Sequence, residues 1–464
     1  MEYGALCLIP PIIAVGVSFL TKQVIPSLIL ALFSAGIISS NFNIGMGFIT
    51  TLESVATVFT KSTRYNILAF STIGIFTTLL NEMGAFSILA EKIAKVGIKN
   101  KKAVQISTAL IGSLLFMASS VSILTTGAVI RPLADKYKLS SEKSSFLLDA
   151  TGAPVCSLTL IGPWGALLMG LLAAQGIAND AGTAFGAIRY NFYAIAMYLF
   201  MWFTIVTEKD FGPMKKAEER ANLTGEVVVN GNESDGTEIV QKAKPGANIF
   251  DAFIPLGVLI GSVVYFLWVT GKGNIFRGSG GKSFVYACTL SIIVTLVMMA
   301  FQKLIDLKTA TSCITKGVSK MTTVIVIIVL AVALGNLVKG MHTGQYLAHF
   351  TKDIMTASLL PAAIFVLSCL MSFATGTSYG TMGIMIPIGI PMASAMGLNF
   401  EVITGAVLAG AVFGDQCSPI SDTTIISAMA AGANLLDHVK TQMVYAFFCA
   451  AVAFFCYIIL GYMM

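Results

Sequence analysis

Residues 414–428 read GDQCSPISDTTIISA, and they lie inside the long apolar segment 401–437. An ionised aspartate at the centre of a bilayer costs about 2.5–3.5 kcal/mol, so Asp415 and Asp422 at that depth require a partner or a wet cavity. Pro419 interrupts the helix and frees carbonyls upstream, while Ser421 or Asp422 can cap a half-helix starting at Thr423. A broken helix follows, with loose carbonyls, hydroxyls and carboxylates suited to a small dehydrated cation. Oxygen-only ligands favour a hard ion such as Na+; a carboxylate could instead take a proton, and one site accepting either ion would couple them. The expected cation site is Asp415 and Asp422 with the hydroxyls of Ser418, Thr423 and Thr424. A plainer reading competes, in which Asp422 caps a helix and Asp415 sits at an interface.

The rest of the chain has the composition such a segment needs. Of 464 residues, 56% are hydrophobic and 11% charged, with a mean hydropathy of +0.83, against roughly 25% charged in soluble domains. The fold class is therefore an all-α polytopic membrane protein. Eight cysteines show neither CxxC spacing nor nearby histidines, so neither disulfides nor zinc are expected. The net charge of +6 is spread over loops and reads as membrane orientation, not nucleic-acid binding. No cleavable signal is expected ahead of the first apolar run, which lacks a basic region before it.

Apolar segments fall at about 5–20, 24–41, 65–90, 103–135, 145–177 and 190–207, then 249–270, 283–302, 321–340, 357–395, 401–437 and 441–463. Each exceeds or approaches the roughly 20 residues that cross a membrane as a helix. The one long polar stretch, 208–247, is expected to be a cytoplasmic linker with no folded regulatory domain, dividing the chain into 1–207 and 248–464. Lysines flank segment 103–135 on both sides: Lys92, Lys95, Lys99, Lys101 and Lys102 before, Arg131, Lys136, Lys138 and Lys143 after. Both flanks are then cytoplasmic by the positive-inside rule, which makes 103–135 a hairpin that enters and returns. Segment 357–395 is its counterpart. Its flanks are poor in base, as expected outside, although Lys272, Arg277 and Lys282 would also fall outside. Five crossings plus one hairpin per half would insert the second half upside down, giving two inverted-topology repeats with broken helices at the midplane. Local similarity supports the pairing: 118–132 lies over 373–387, matching Pro132 with Pro387, and 153–162 over 414–423, matching Cys156 with Cys417.

Other polar residues in apolar segments are candidates of lower specificity. The hairpin turns offer Ser119, Ser120, Ser122 and Thr125 in one half and Thr375, Gly376, Thr377 and Ser378 in the other as substrate contacts. Such hydroxyls also often bond back to their own helix. Asp149, Cys156 and Ser157 form a candidate proton or ion path, with a helix cap as the alternative for Asp149. Glu53, Asn81 and Glu82 sit near segment ends, and His342, His349 and His438 near loops, where solvated roles are expected. No GxSxG, GxxxxGK[ST] or HExxH occurs, which argues against an enzyme and an ATP-driven pump.

FGDQCSPISDTTIISA closely resembles the signature of the NhaC sodium/proton antiporter family, and TGTSYGTMGIMIPI and TTGAVIRPLADKYKLSSEKSSFLLDATGAPV resemble its other landmarks in order. The resemblance implies a multi-pass protein of the bacterial inner membrane, two hairpins in inverted repeats, and sodium-linked exchange by alternating access. The family is also similar to malate/lactate antiporters and includes amino-acid carriers. Where many members carry Asp-Asp-Tyr, this chain has Ala118, Ser119 and Ser120. That departure leaves fewer carboxylates for protons and more room for an organic substrate, an amino acid or carboxylate. Expected cofactors are none beyond Na+ and H+ as coupling ions. Expected partners are the transported species and the lipid bilayer, with a homodimer left open. A channel lined by the hairpins is the competing class, with a membrane enzyme using Cys156 or Cys417 behind it.

Overall fold

In the computed structural model the described residues are 3–59, 63–94, 98–228, 248–343, 346 and 357–464, and every regular element among them is helical. The first half comprises α1 (Ile9–Thr21), α2 (Val24–Ser39), α3 (Ile44–Val58), α4 (Thr63–Met83), α5 (Ala85–Ala94), α6 (Lys101–Leu114), α7 (Ser119–Lys136), α8 (Ser141–Thr151), α9 (Ala153–Thr159), α10 (Pro163–Ala174), α11 (Asp180–Ala187) and α12 (Phe192–Thr207). A polar helix, α13 (Gly212–Thr224), follows. The second half comprises α14 (Phe250–Thr270), α15 (Gly280–Phe301), α16 (Leu307–Gly340), α17 (Leu360–Thr375), α18 (Ser378–Met396), α19 (Phe400–Cys417), α20 (Asp422–Ala431) and α21 (Leu435–Met463). Among the described residues, eight helices are long and apolar enough to cross a membrane, or up to 11 if each bent pair counts as one span.

Local chemistry sets the helix starts. Asn43, Asn100, Ser140, Asn191, Thr377, Asn399, Ser421 and Asn434 each accept a backbone N–H of the following turn, which satisfies donors that a helix start leaves open. Burial then sorts the helices. The apolar window of α19 is 89% buried, against 39% for α14 and α15, so α19 is central and α14 and α15 are peripheral. The helices α4 and α16 cross at Gly74 and Gly317, where a methyl on either would strike the other's carbonyl oxygen. Between the expected segments 24–41 and 65–90, α3 is an additional helix. Its Thr50, Thr51, Glu53 and Ser54 dilute the apolar signal, and Glu53 lies mid-helix with an exposed side chain rather than at a segment end.

The two halves repeat in register. Helices α6, α7, α8 and α10 open at Lys101, Ser119, Ser141 and Pro163; α17, α18, α19 and α20 open at Leu360, Ser378, Phe400 and Asp422. Every pair is separated by the same interval (378 − 119 = 259). In both halves a helical hairpin precedes a helix broken at mid-length. The breaks are residues 160–162, across which the axis bends by 43°, and residues 418–421. This interval corrects the string matching in detail: Pro132 pairs with Pro391 rather than Pro387, and Cys156 with Asp415 rather than Cys417. Apolar strings slide past one another at little cost, whereas helix ends are fixed by caps and breaks.

The polar stretch after α12 is partly structured. Arg220 of α13 grips Glu142 of α8 with two hydrogen bonds of 3.1 and 3.0 Å, and Glu218 accepts the backbone N–H of Ser140 at 2.9 Å. Lys143, read from sequence as a loop charge, is instead fully buried. It donates to Asp210 at 2.6 Å, and Tyr445 donates to the same oxygen at 2.6 Å. The Lys143 ammonium also lies 5.3 Å from the Phe146 ring centre and 5.8 Å from that of Tyr445. The last part of the stretch, 229–247, lies outside the described residues, as do Lys95 and His349.

Candidate functional site

Asp415 occupies the last turn of α19, where the helix stops because Pro419 withholds an N–H. It is 3% exposed. Its carboxylate accepts the hydroxyl of Ser378, the first residue of α18, at 2.7 Å, and that of Ser421, the N-cap of α20, at 2.5 Å. A carboxylate offers about four lone-pair directions, so this one keeps acceptor capacity beyond the two serines. The hydroxyl of Thr424 donates to the backbone carbonyl of Asp415 at 3.1 Å, and the hydroxyls of Thr423 and Ser421 lie 3.1 Å apart. Ser418 is fully buried within the break. Asp422 follows the cap; it accepts the backbone N–H of Thr423 at 3.0 Å, and its side chain is exposed. One end of the oxygen cluster is therefore enclosed and the other open.

The structure thus brings Asp415, Ser378, Ser421, Thr423 and Thr424 together at one break. The turn hydroxyls differ among themselves. Thr375 bonds back to the carbonyl of Met371 at 2.8 Å, Thr377 caps α18, and Ser122 donates to the carbonyl of Gly112 at 2.9 Å. Ser119 and Ser120 open α7 half-buried, and Thr125 is buried one turn on. At the equivalent break, Cys156 stands where Asp415 stands, and its thiol donates to the carbonyl of Phe116 in the first hairpin turn at 3.0 Å. Ser157 donates to the carbonyl of Pro154 at 2.7 Å and accepts from Asn191 at 2.9 Å.

Each hairpin turn is pressed onto the break of its own half. Gly376 has φ +65, and a Cβ there would lie 2.8 Å from the carbonyl oxygen of Ile420; a Cβ on Gly162 would lie 2.8 Å from that of Met117. Gly376→Ala therefore combines a left-handed backbone, disfavoured by roughly 1–2 kcal/mol for a non-glycine residue, with a clash against fixed backbone. The variant is expected to melt at lower temperature in detergent than the wild type, which a thermal-shift measurement checks.

Each hairpin also reaches into the other half. Gly127 of α7 packs on Ala430 of α20, and Tyr379 of α18 lies 5.4 Å from Trp164 of α10 between ring centres. The two contacts join equivalent pairs of helices, α7 with α20 and α18 with α10. Trp164 is 3% exposed, and its indole N–H has no partner. Neither ring was singled out by sequence, because aromatic residues in apolar segments are ordinary packing. Two cavities open at the hairpin bases. One of about 460 Å3 is lined by Lys101, Gln105, Asp210 and Glu218; the other, of about 480 Å3, by Gln175, Lys339, His342, Ser394 and Phe400.

Two expectations about titratable residues are corrected. Asp149 caps nothing: it lies inside α8, fully buried, and accepts from Gln442 of α21. His438 is not a loop residue but belongs to the first turns of α21 with no exposure, its Nε2 3.8 Å from the Asp149 carboxylate. The signal was available, since His438 and Gln442 are four residues apart and share one helix face. Placing the helix start at 441 instead of Leu435 hid it.

Comparison with known proteins locates this arrangement. The family model described as "Na+/H+ antiporter family" matches residues 155–462. An uncharacterized protein of Haemophilus influenzae is 29% identical over 98% of the chain and 90% of its own length. The malate-2H(+)/Na(+)-lactate antiporter of Bacillus subtilis is 32% identical over a shorter stretch, 21% of each chain. Among solved structures, the YdaH transporter of Alcanivorax borkumensis shares the fold at a TM-score of 0.61 and 14% identity, over 89% of this chain and 88% of its own.

Proposed function

Because the chain belongs to the Na+/H+ antiporter family, a family of multi-pass membrane transporters, we propose that it is a cation-coupled secondary transporter of the NhaC type that exchanges sodium for protons by alternating access. Na+ binds Asp415 and Asp422 with Ser418, Thr423 and Thr424. The observation that carries this reading is the buried Asp415 carboxylate at a helix break, held by one hydroxyl from the hairpin and one from the following half-helix. Ser378 from the hairpin and Ser421 from the break hold one carboxylate, so cation binding and protonation there act on hairpin and break as one unit.

In the same reading the halves are inverted repeats, each with five crossings and one hairpin, 103–135 and 357–395. The repeat of helix starts at a constant interval and the reciprocal α7–α20 and α10–α18 contacts support it, and the cavities at the two hairpin bases would be the inner and outer mouths. Residues Ser119, Ser120, Ser122, Thr125 and Thr375 to Ser378 line the passage between them, and Asp149, Cys156 and Ser157 lie on the ion path.

A second reading, cation-coupled movement of a small organic solute, is favoured by one feature: the Trp164–Tyr379 ring pair with its unpartnered indole N–H beside the cluster. Such a pair suits an amino acid or carboxylate better than a bare ion.

The test is flux in proteoliposomes under imposed Na+ and H+ gradients, with pyranine inside to report protons and a panel of amino acids and carboxylates outside. A sodium gradient should drive proton movement, and Asp422→Asn should lose that coupling while still assembling. Solute uptake that ignores the Na+ gradient would remove the cation-site assignment.

A further inference from the structure

The polar residues behind the cation cluster form a second network, of which the reading above uses Asp149 alone. Asp149, Tyr193, Gln416, His438 and Gln442 are all fully buried. Tyr193 donates to the Gln416 side chain at 2.7 Å; Gln442 donates to the Gln416 carbonyl at 2.7 Å and also to Asp149. The chain of contacts thus runs from Asp149 to the residue following Asp415. Yet Asp149 Oδ1, both ring nitrogens of His438, Gln416 Nε2 and Gln442 Oε1 have no hydrogen-bond partner.

Five unpartnered buried atoms in one neighbourhood are costly, at about 1–3 kcal/mol each, and two of the deficits are complementary. A neutral imidazole carries one donor and one acceptor, and an imidazolium two donors. With a proton on His438, the 3.8 Å gap to the Asp149 carboxylate can close into a charge-assisted hydrogen bond of about 2.8 Å. Without it, a lone negative charge remains in a dry interior. One proton on the imidazole thus completes the pair, joining two side chains that each hold an atom without a partner.

We infer that Asp149 and His438 form a proton-carrying site separate from the Na+ cluster and coupled to it through Gln442 and Gln416. The negatively charged Asp149 carboxylate is tied by Gln442 to the Gln416 carbonyl, one residue from Asp415. A proton on the pair cancels that charge and weakens Na+ binding at the cluster, and by linkage Na+ weakens proton binding equally. Other charged or titratable groups on the surrounding elements are engaged elsewhere or carry little charge. On α8, Glu142 pairs with Arg220 and Lys143 with Asp210; on α21, Asp437 pairs with Lys440 at 3.8 Å. Arg131 of α7 packs on Gly432, Lys101 of α6 pairs with Glu218 of α13, and Lys102 of α6 pairs with Glu208. Tyr193 of α12, Tyr445 and Cys449 of α21, Cys369 of α17 and Cys417 of α19 are neutral.

The inference rests on the sodium–proton reading above, and the experiment separates the two. The full-length protein in proteoliposomes is measured for 22Na+/Na+ exchange at equal pH and for Na+-evoked proton flux with internal pyranine. In His438→Gln and His438→Asn, Na+/Na+ exchange should stay within about threefold of the wild type, its dependence on pH should flatten, and Na+-evoked proton flux should fall at least tenfold. Wild-type proton flux in either variant overturns the site. So does parallel loss of both fluxes in variants that elute as the wild type does on gel filtration, since the histidine would then support the fold or the Na+ cluster. A wild type that exchanges no Na+ would instead overturn the sodium reading itself.

Discussion

Asp415→Asn is expected to reduce Na+/Na+ exchange in proteoliposomes by roughly 10- to 100-fold, the span given by about 1.5–3 kcal/mol for a lost interaction with a buried charged group. The substitution conserves shape, and asparagine retains one acceptor for Ser378 or Ser421 and turns a donor to the other hydroxyl, so the break should still close. What disappears is the negative charge. A hard cation stripped of water has no equivalent compensation from hydroxyls and carbonyls alone at this position, because the Ser421 hydroxyl already faces the carboxylate and the Thr424 hydroxyl the Asp415 carbonyl. Exchange at the wild-type rate in this variant would move the cation away from the break.

Lys143→Met is expected to be the most destabilising single change outside the site. Lys143 is fully buried, and its side chain and the Tyr445 hydroxyl both serve Asp210. Removing the ammonium leaves Asp210 charged in a mostly buried position with one neutral donor, a situation that costs about 3–5 kcal/mol. The same principle holds that removing both charges is far milder. Lys143→Met should therefore lower the melting temperature in detergent strongly, and Lys143→Met combined with Asp210→Asn should recover most of the loss. A double variant as unstable as the single one would show that Lys143 matters through its packing on Phe146 and Tyr445 instead.

Much of this architecture was legible in the residues. The break at 418–421 followed from Pro419 and a cap at Ser421 or Asp422, and the helix–turn–helix form of 103–135 and 357–395 from polar turns inside segments too long for one crossing. These signals are local, because a proline or a cap acts within one helical turn. What escaped was set by tertiary packing. Lys143 and His438 looked like solvated charges beside segment ends, yet Asp210 and Asp149, distant in sequence, bury them. Helix α13 was hidden by its composition: GPMKKAEERANLT has no apolar face wide enough to announce itself, and it is held by Glu142 and Ser140 of α8. The register between halves was misjudged because Pro132 can be laid over Pro387 or Pro391 with equal ease until the helix starts are known.

The contacts of Gly376 with Ile420 and of Gly162 with Met117 also determine where the molecule can yield. Both are backbone against backbone, with no rotamer to swing aside, so neither turn can slip over the break beneath it and each pair travels as one rigid block. Compliance is left to the surfaces where the blocks meet: the smooth Gly127–Ala430 contact on one flank and the tilted Trp164–Tyr379 rings on the other. They join the halves alongside the closely packed crossing of α4 and α16 at Gly74 and Gly317. Bulk added at either contact would wedge the halves apart without touching Asp415 or its two serine partners.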